Sequence, residues 1–154
     1  MKNDTISLWG EKRYHSLDYY LKNTYHEKVY RIALNAGLSC PNRDGRIDTR
    51  GCIFCSAGGS GDFAASPTLS ITEQLETEKR ILRAKRNCNK FIAYFQAFTN
   101  TYGSVEHLRD LYMQAVNDPD VVIISIATRP DCLGDDIIDL LKEASEKLDV
   151  PVTE

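Results

Sequence analysis

The 154-residue chain is 42% apolar and 27% charged, with five cysteines and a formal net charge of −3. That balance suits one globular domain whose core is large enough to fold without staples, and it offers no global field toward nucleic acid or an anionic membrane. The start, Met1-Lys2-Asn3-Asp4-Thr5, has no apolar leader and no run approaches the ~20 apolar residues of a membrane helix, so the expectation is a cytoplasmic protein without a membrane partner.

Residues 1–28 read as an N-terminal extension, polar and rich in tyrosine, with a short helix from Ser16 to Lys22. Alternation over Val29–Leu34 predicts a strand, followed by a polar, glycine-rich loop as far as Pro67. Ser70 or Thr72 opens a helix to about Arg86, with Ile71, Leu75, Ile81 and Leu82 near helical spacing. Phe91–Phe95 predicts a second strand whose end, Gln96 to Thr101, turns polar, and Ser104 caps a helix to about Val116. The near-continuous apolar run Val121–Ala127 suits a parallel strand covered on both faces. Asp135 begins a helix to about Leu148, and Val150-Pro151-Val152 would start a fourth strand. The order predicts an α/β fold with parallel strands and right-handed crossover helices, about three β/α units over residues 29–154. The chain stops where a fourth strand should enter, so a second chain or a missing C-terminal half is expected to cover an open edge.

Three cysteines lie within sixteen residues: Cys40, eleven residues, Cys52, two residues, Cys55. In a reducing compartment such a cluster points to metal or catalysis rather than disulfides. Three thiolates would leave one iron of a cubane [4Fe–4S] cluster open. A Cys3His zinc module with His15 or His26 as fourth ligand satisfies the spacing equally well. Arg43, Arg46 and Arg50 could offset thiolate charge in either case.

The wider segments add a resemblance. Leu34-Asn35-Ala36-Gly37-Leu38-Ser39-Cys40-Pro41-Asn42-Arg43-Asp44-Gly45 with Gly51-Cys52-Ile53-Phe54-Cys55 closely resembles the cluster loop of radical S-adenosylmethionine proteins of the YhcC/YtqA type. That subgroup is related to the Elongator catalytic subunit. Gly59 to Ala64, Ala93 to Tyr102 and Ala127 to Leu133 are similar to further segments of the same family, in the same order. The resemblance implies the N-terminal half of a partial (β/α)6 barrel. It also implies that Cys40, Cys52 and Cys55 hold a [4Fe–4S] cluster whose fourth iron chelates S-adenosylmethionine for reductive cleavage to a 5′-deoxyadenosyl radical. Phe54 matches a position that contacts adenine. Gln96, Thr99 and Asn100 fall where the methionine amino group is bound, in keeping with ligand sites at the carboxyl ends of parallel strands. Thr128 and Arg129 close the third strand, where the guanidinium would pair the methionine carboxylate or, equally, Asp131.

The substrate stays open between a tRNA and a small molecule, and an inactive truncated fragment stands as a further alternative. The cations Lys79, Arg80, Arg83, Lys85, Arg86 and Lys90 read as a solvated helix face complementing the macrodipole, with an RNA footprint as the sharper alternative. Cys88 and Cys132 read as packing or loop residues, and Tyr30 as the one N-terminal-region tyrosine that could touch substrate.

Overall fold

The structure, a computed structural model, describes residues 8–148. Strand β1 (Leu8–Glu11) precedes helix α1 (Leu17–Tyr25), then β2 (Val29–Leu34), α2 (Ile71–Lys85), β3 (Lys90–Phe95), α3 (Val105–Val116), β4 (Val121–Ile126) and α4 (Asp135–Lys147). A short 3-10 turn, Pro130–Cys132, leads into α4. The expected α/β architecture is present: β2, β3 and β4 form a parallel sheet in that order, with β3 central. β1 was not foreseen in the N-terminal extension, and the fourth strand expected at Val150-Pro151-Val152 lies outside the described residues.

The helix starts follow their caps. Ser16, Ser70 and Ser104 each accept from the backbone N–H three residues on, at 3.2, 3.2 and 3.3 Å. At α2 the box closes, because the Glu73 carboxylate accepts from the Ser70 N–H at 2.8 Å. Helix α1 runs one turn past the expected Lys22 and ends at His26, in the left-handed region.

Alternation along the strands gives the sheet two unlike faces. One face places Ile32, Leu34, Phe91, Ala93, Phe95 and Val121 in the main core with Leu75, Leu108, Tyr112 and Leu140 from the helices. On the other face Val29, Ile92, Val122 and Ile123 pack with Leu21, Tyr20 and Tyr25, so α1 covers only the amino ends of the strands. Toward the carboxyl ends that face carries Arg31, Tyr94 and Gln96, with the Arg31 guanidinium 4.8 Å from the Tyr94 ring centre. Ser125, paired with Tyr94 across the ladder, adds a further polar group there.

One expectation is corrected here. Lys79 is not part of a solvated face: it is 3% exposed and bonds Asp118 at 2.7 Å, Asp120 at 3.1 Å and Glu76 at 2.7 Å. Burial works against its charge, but the hydrogen bonds it donates to Asp118, Glu76 and Asp120 outweigh that and push its basicity well up. Tyr30 is corrected as well: it packs on the helix-facing core between the Lys28 and Arg86 cations, away from the strand carboxyl ends. No helix among the described residues is long and apolar enough to cross a membrane.

Candidate metal and cofactor site

The loop between β2 and α2 carries the three clustered cysteines, and its two ends are tied by one buried side chain. Gln74 of α2 accepts from the Asn35 N–H at 2.9 Å and donates to the carbonyls of Asn35 at 2.8 Å and Leu69 at 2.9 Å. A fully buried amide with these partners fixes where the loop leaves β2 and where it rejoins α2. The middle of the loop lies on the segment after β3: Thr99 N–H donates to Ser39 O at 3.2 Å and Phe98 N–H to Gly59 O at 3.0 Å. The approach is so close that a side chain at Gly59 would meet the Phe98 ring at 2.4 Å. The glycine richness noted in the sequence thus has a specific contact behind it.

Two of the three clustered cysteine sulfurs accept from a polar side chain. Asn42 Nδ2 donates to Cys52 Sγ at 3.1 Å, and Ser60 Oγ donates to Cys55 Sγ at 3.6 Å. The Arg129 guanidinium lines the same cleft as Cys40. Among the described residues no three His, Cys, Asp or Glu side chains are gathered around a point where a single ion would sit. A multi-iron centre binds each thiolate to a different iron and needs them spread more widely than a single zinc does. The donor chemistry, three thiols, two of them with hydrogen bonds aimed at sulfur, fits such a centre. His15, one proposed zinc ligand, instead packs among the rings of Trp9, Tyr19 and Tyr20.

The thiols rim a cleft of about 290 Å³ at the carboxyl ends of the strands. Cys40, Cys52, Phe54 and Cys55 line one wall, and Tyr94, Gln96, Thr99, Thr128 and Arg129 line the other. Eight of the nine site residues expected from the sequence therefore share this cleft. Asn100 does not: it is fully buried behind it, where its Nδ2 donates to the carbonyls of Phe95 at 3.1 Å and Ala97 at 3.0 Å. Its N–H also donates to Ala127 O at 2.9 Å, so Asn100 joins the ends of β3 and β4 rather than facing a ligand. Its Oδ1 has no partner among the described residues.

Arg129 forms a two-pronged pair with Asp131, at 2.9 and 2.8 Å, which satisfies one of the two roles weighed for it. The Asp131 carboxylate pushes the guanidinium's basicity up, with a smaller contribution from Cys40, and Asp131 is held low in return. The loop arginines diverge. Arg43 lines the cleft, bonding the carbonyls of Ser56 and Ala57, with its guanidinium 5.6 Å from the Phe98 ring centre. Arg50 turns outward to Asp48, and Arg46 lies over Tyr102, so neither compensates thiolate charge within the cleft. Phe54 is 81% exposed, and its loop neighbours Ile53 and Phe63 are 106% and 98% exposed.

Sequence reasoning missed Asn42, Ser60, Tyr94 and Phe98. Asn42 and Ser60 stood inside the segments that carried the family resemblance, and the strand alternation puts Tyr94 on the same face as Gln96. Phe98 also stood inside such a segment, but its left-handed backbone, at φ 64°, is not legible from residue type. A second, larger cleft of about 790 Å³ lies beside the first, between the start of the cysteine loop and the loops entering α3 and α4. Cys132 lines it, and burial, with the neighbouring Asp131 charge, pushes that thiol up and away from ligand character.

No family model and no solved structure matches the chain. It is 50% identical over 137 residues to the uncharacterized protein YtqA of Bacillus subtilis, covering 89% of this chain and 42% of that protein. It is 42% identical over 128 residues to protein YhcC of Escherichia coli K12, covering 82% of this chain and 40% of that protein. A more distant relative, the uncharacterized protein MJ0486 of Methanocaldococcus jannaschii, is 32% identical over 129 residues, covering 82% and 38%. The chain is thus similar to YtqA and YhcC over most of its own length and spans about two fifths of theirs.

Proposed function

We propose that this chain is the cofactor-binding portion of a radical S-adenosylmethionine enzyme and forms part of a (β/α)6 barrel. Cys40, Cys52 and Cys55 would hold a [4Fe–4S] cluster. Gln96, Thr99 and Thr128, with Phe54 across the cleft, would bind and orient S-adenosylmethionine. When bound, the two supply one-electron reductive cleavage of the sulfonium carbon–sulfur bond. The chain's own residues hold sulfur donors in place, present the polar strand ends, and keep Arg129 beside Cys40. One observation carries the reading: three thiols, two of them accepting from polar side chains, rim a single cleft with the carboxyl ends of parallel strands. The polar carboxyl half of the uncovered sheet face, Arg31 with Tyr94 and Gln96, supports a barrel interior there.

The test is anaerobic reconstitution with iron and sulfide. The expected result is a brown protein with about four irons per chain, which yields methionine and 5′-deoxyadenosine from S-adenosylmethionine with dithionite. Each cysteine-to-alanine variant should lose iron. A colourless protein carrying one zinc and no iron after the same treatment would replace this reading with the zinc module.

A further inference from the structure

The three cysteines differ from unsupported thiols in one respect that their spacing does not require. Two of them have a separate polar group at sulfur, and the third, Cys40, lines the same cleft as the Arg129 guanidinium. Asn42 lies two residues after Cys40 but donates to Cys52, at 3.1 Å. Ser60 lies five residues after Cys55 and donates to it, at 3.6 Å. Arg129 enters the cleft that Cys40 lines from the end of β4, held by its two bonds to Asp131. Ser60 holds a left-handed backbone, φ 66°, which an L-residue rarely adopts.

We propose that Asn42, Ser60 and the Arg129 cation form a shell around the cleft that raises the reduction potential of the cluster these cysteines hold. The inference rests on the proposed function and concerns the tuning of that same site. Reduction adds one negative charge to the cluster and its thiolates. Hydrogen bonds to sulfur and a nearby cation stabilise the more negative state, which makes the electron easier to add. Asn42 and Ser60 touch sulfur, and none of the three side chains needs to touch substrate.

The experiment is a mediated redox titration of the reconstituted chain, followed by the electron paramagnetic resonance signal of the reduced cluster. Ser60→Gly is the mildest variant, since glycine accepts the left-handed backbone and only the hydroxyl is lost. Asn42→Ala and Arg129→Gln probe the other two positions. Each should lower the midpoint, so that the reduced-to-oxidised ratio at the wild-type midpoint falls about threefold to tenfold; tenfold corresponds to about 59 mV for one electron. A loss of iron from Ser60→Gly at unchanged melting temperature also supports the contact, because Cys55 Sγ is that hydroxyl's one partner among the described residues. Midpoints unchanged in all three variants at full iron content would overturn the shell and leave the cluster reading intact. Absence of iron from the wild-type chain would overturn the cluster reading itself.

Discussion

Gly59 and Phe98 form a contact in which each residue constrains the other. Gly59 has φ 62°, and a Cβ built on it would lie 2.4 Å from Phe98 Cδ1 and 2.6 Å from Cε1. Phe98 is itself left-handed, and it stays there because its N–H donates to Gly59 O at 3.0 Å and its ring lies under Arg43. Strain of this kind persists only where several contacts hold it, and here they also hold the loop that carries Cys55. Gly59→Ala should therefore destabilise the chain by about 1–3 kcal/mol, from overpacking together with the left-handed backbone. Urea unfolding measures this, and iron uptake should fall with it. Adding Phe98→Ala should recover part of the stability, since the ring is the clashing partner; strict additivity of the two losses would show that they do not communicate. The loop's glycines and cysteines were legible as residue types. Which glycine lies under which ring was not, because the contact joins positions 59 and 98 through the fold.

At the scale of an element, α2 shows both what periodicity reveals and where a charge misleads. Ile71, Leu75 and Lys79 recur every four residues, so helical spacing alone puts Lys79 on the buried stripe. Reading it by charge placed it in solvent. The structure resolves the conflict by bringing Asp118 and Asp120, from the turn between α3 and β4, onto its ammonium, with Arg83 closing the group at 2.9 Å from Asp120. Lys79→Met removes the cation and leaves Asp118, whose side chain is 7% exposed, without its partner. The expected loss is about 3–5 kcal/mol, with much less when Asp118→Asn is added. Acid should act through the same group. Burial raises the Asp120 carboxyl, but Arg83 and Lys79 outweigh it and hold it below its ordinary 3.8. Its contribution is therefore complete above that value and is lost as pH falls through the depressed one. Lys79 is shifted upward, so its contribution is complete below its ordinary 10.5 and is lost only on further alkalinisation. Urea unfolding from pH 7 downward should show stability flat to about pH 4 and falling beneath it, with a shallower acid limb in Lys79→Met. An equally steep limb in that variant would assign acid sensitivity elsewhere.

For the molecule as a whole, the division of labour is between a sheet that is packed and a loop that is hung from it. β3 lies between β2 and β4, and its Phe91, Ala93 and Phe95 are fully buried against the helices. The succession of β2, α2, β3, α3, β4 and α4 was readable from the sequence, because strand and helix periods differ and Ser70 and Ser104 cap α2 and α3. The cleft was readable only in part. Its residues come from the cysteine loop, the end of β3 and the end of β4, and hydrogen bonds such as Thr99 to Ser39 and Asn100 to Ala127 bring them together. The cysteine loop has few apolar anchors of its own: Ile53 and Phe63 are fully exposed, and Phe54, on the cleft wall, is largely so. Its order should therefore depend on what the thiols hold, whereas the sheet's should not. Hydrogen exchange separates the two. In the metal-free chain the β3 amides should be the slowest and residues 42–62 among the fastest, since local opening of a loop needs far less free energy than global unfolding. Loading the cluster crosslinks Cys40, Cys52 and Cys55, which removes most open loop conformations, and exchange over residues 42–62 should slow by about tenfold or more while β3 stays unchanged. Uniform slowing across sheet and loop would mean that the centre stabilises the whole fold, as a structural zinc does. No slowing in the loop would mean that these thiols do not share a centre.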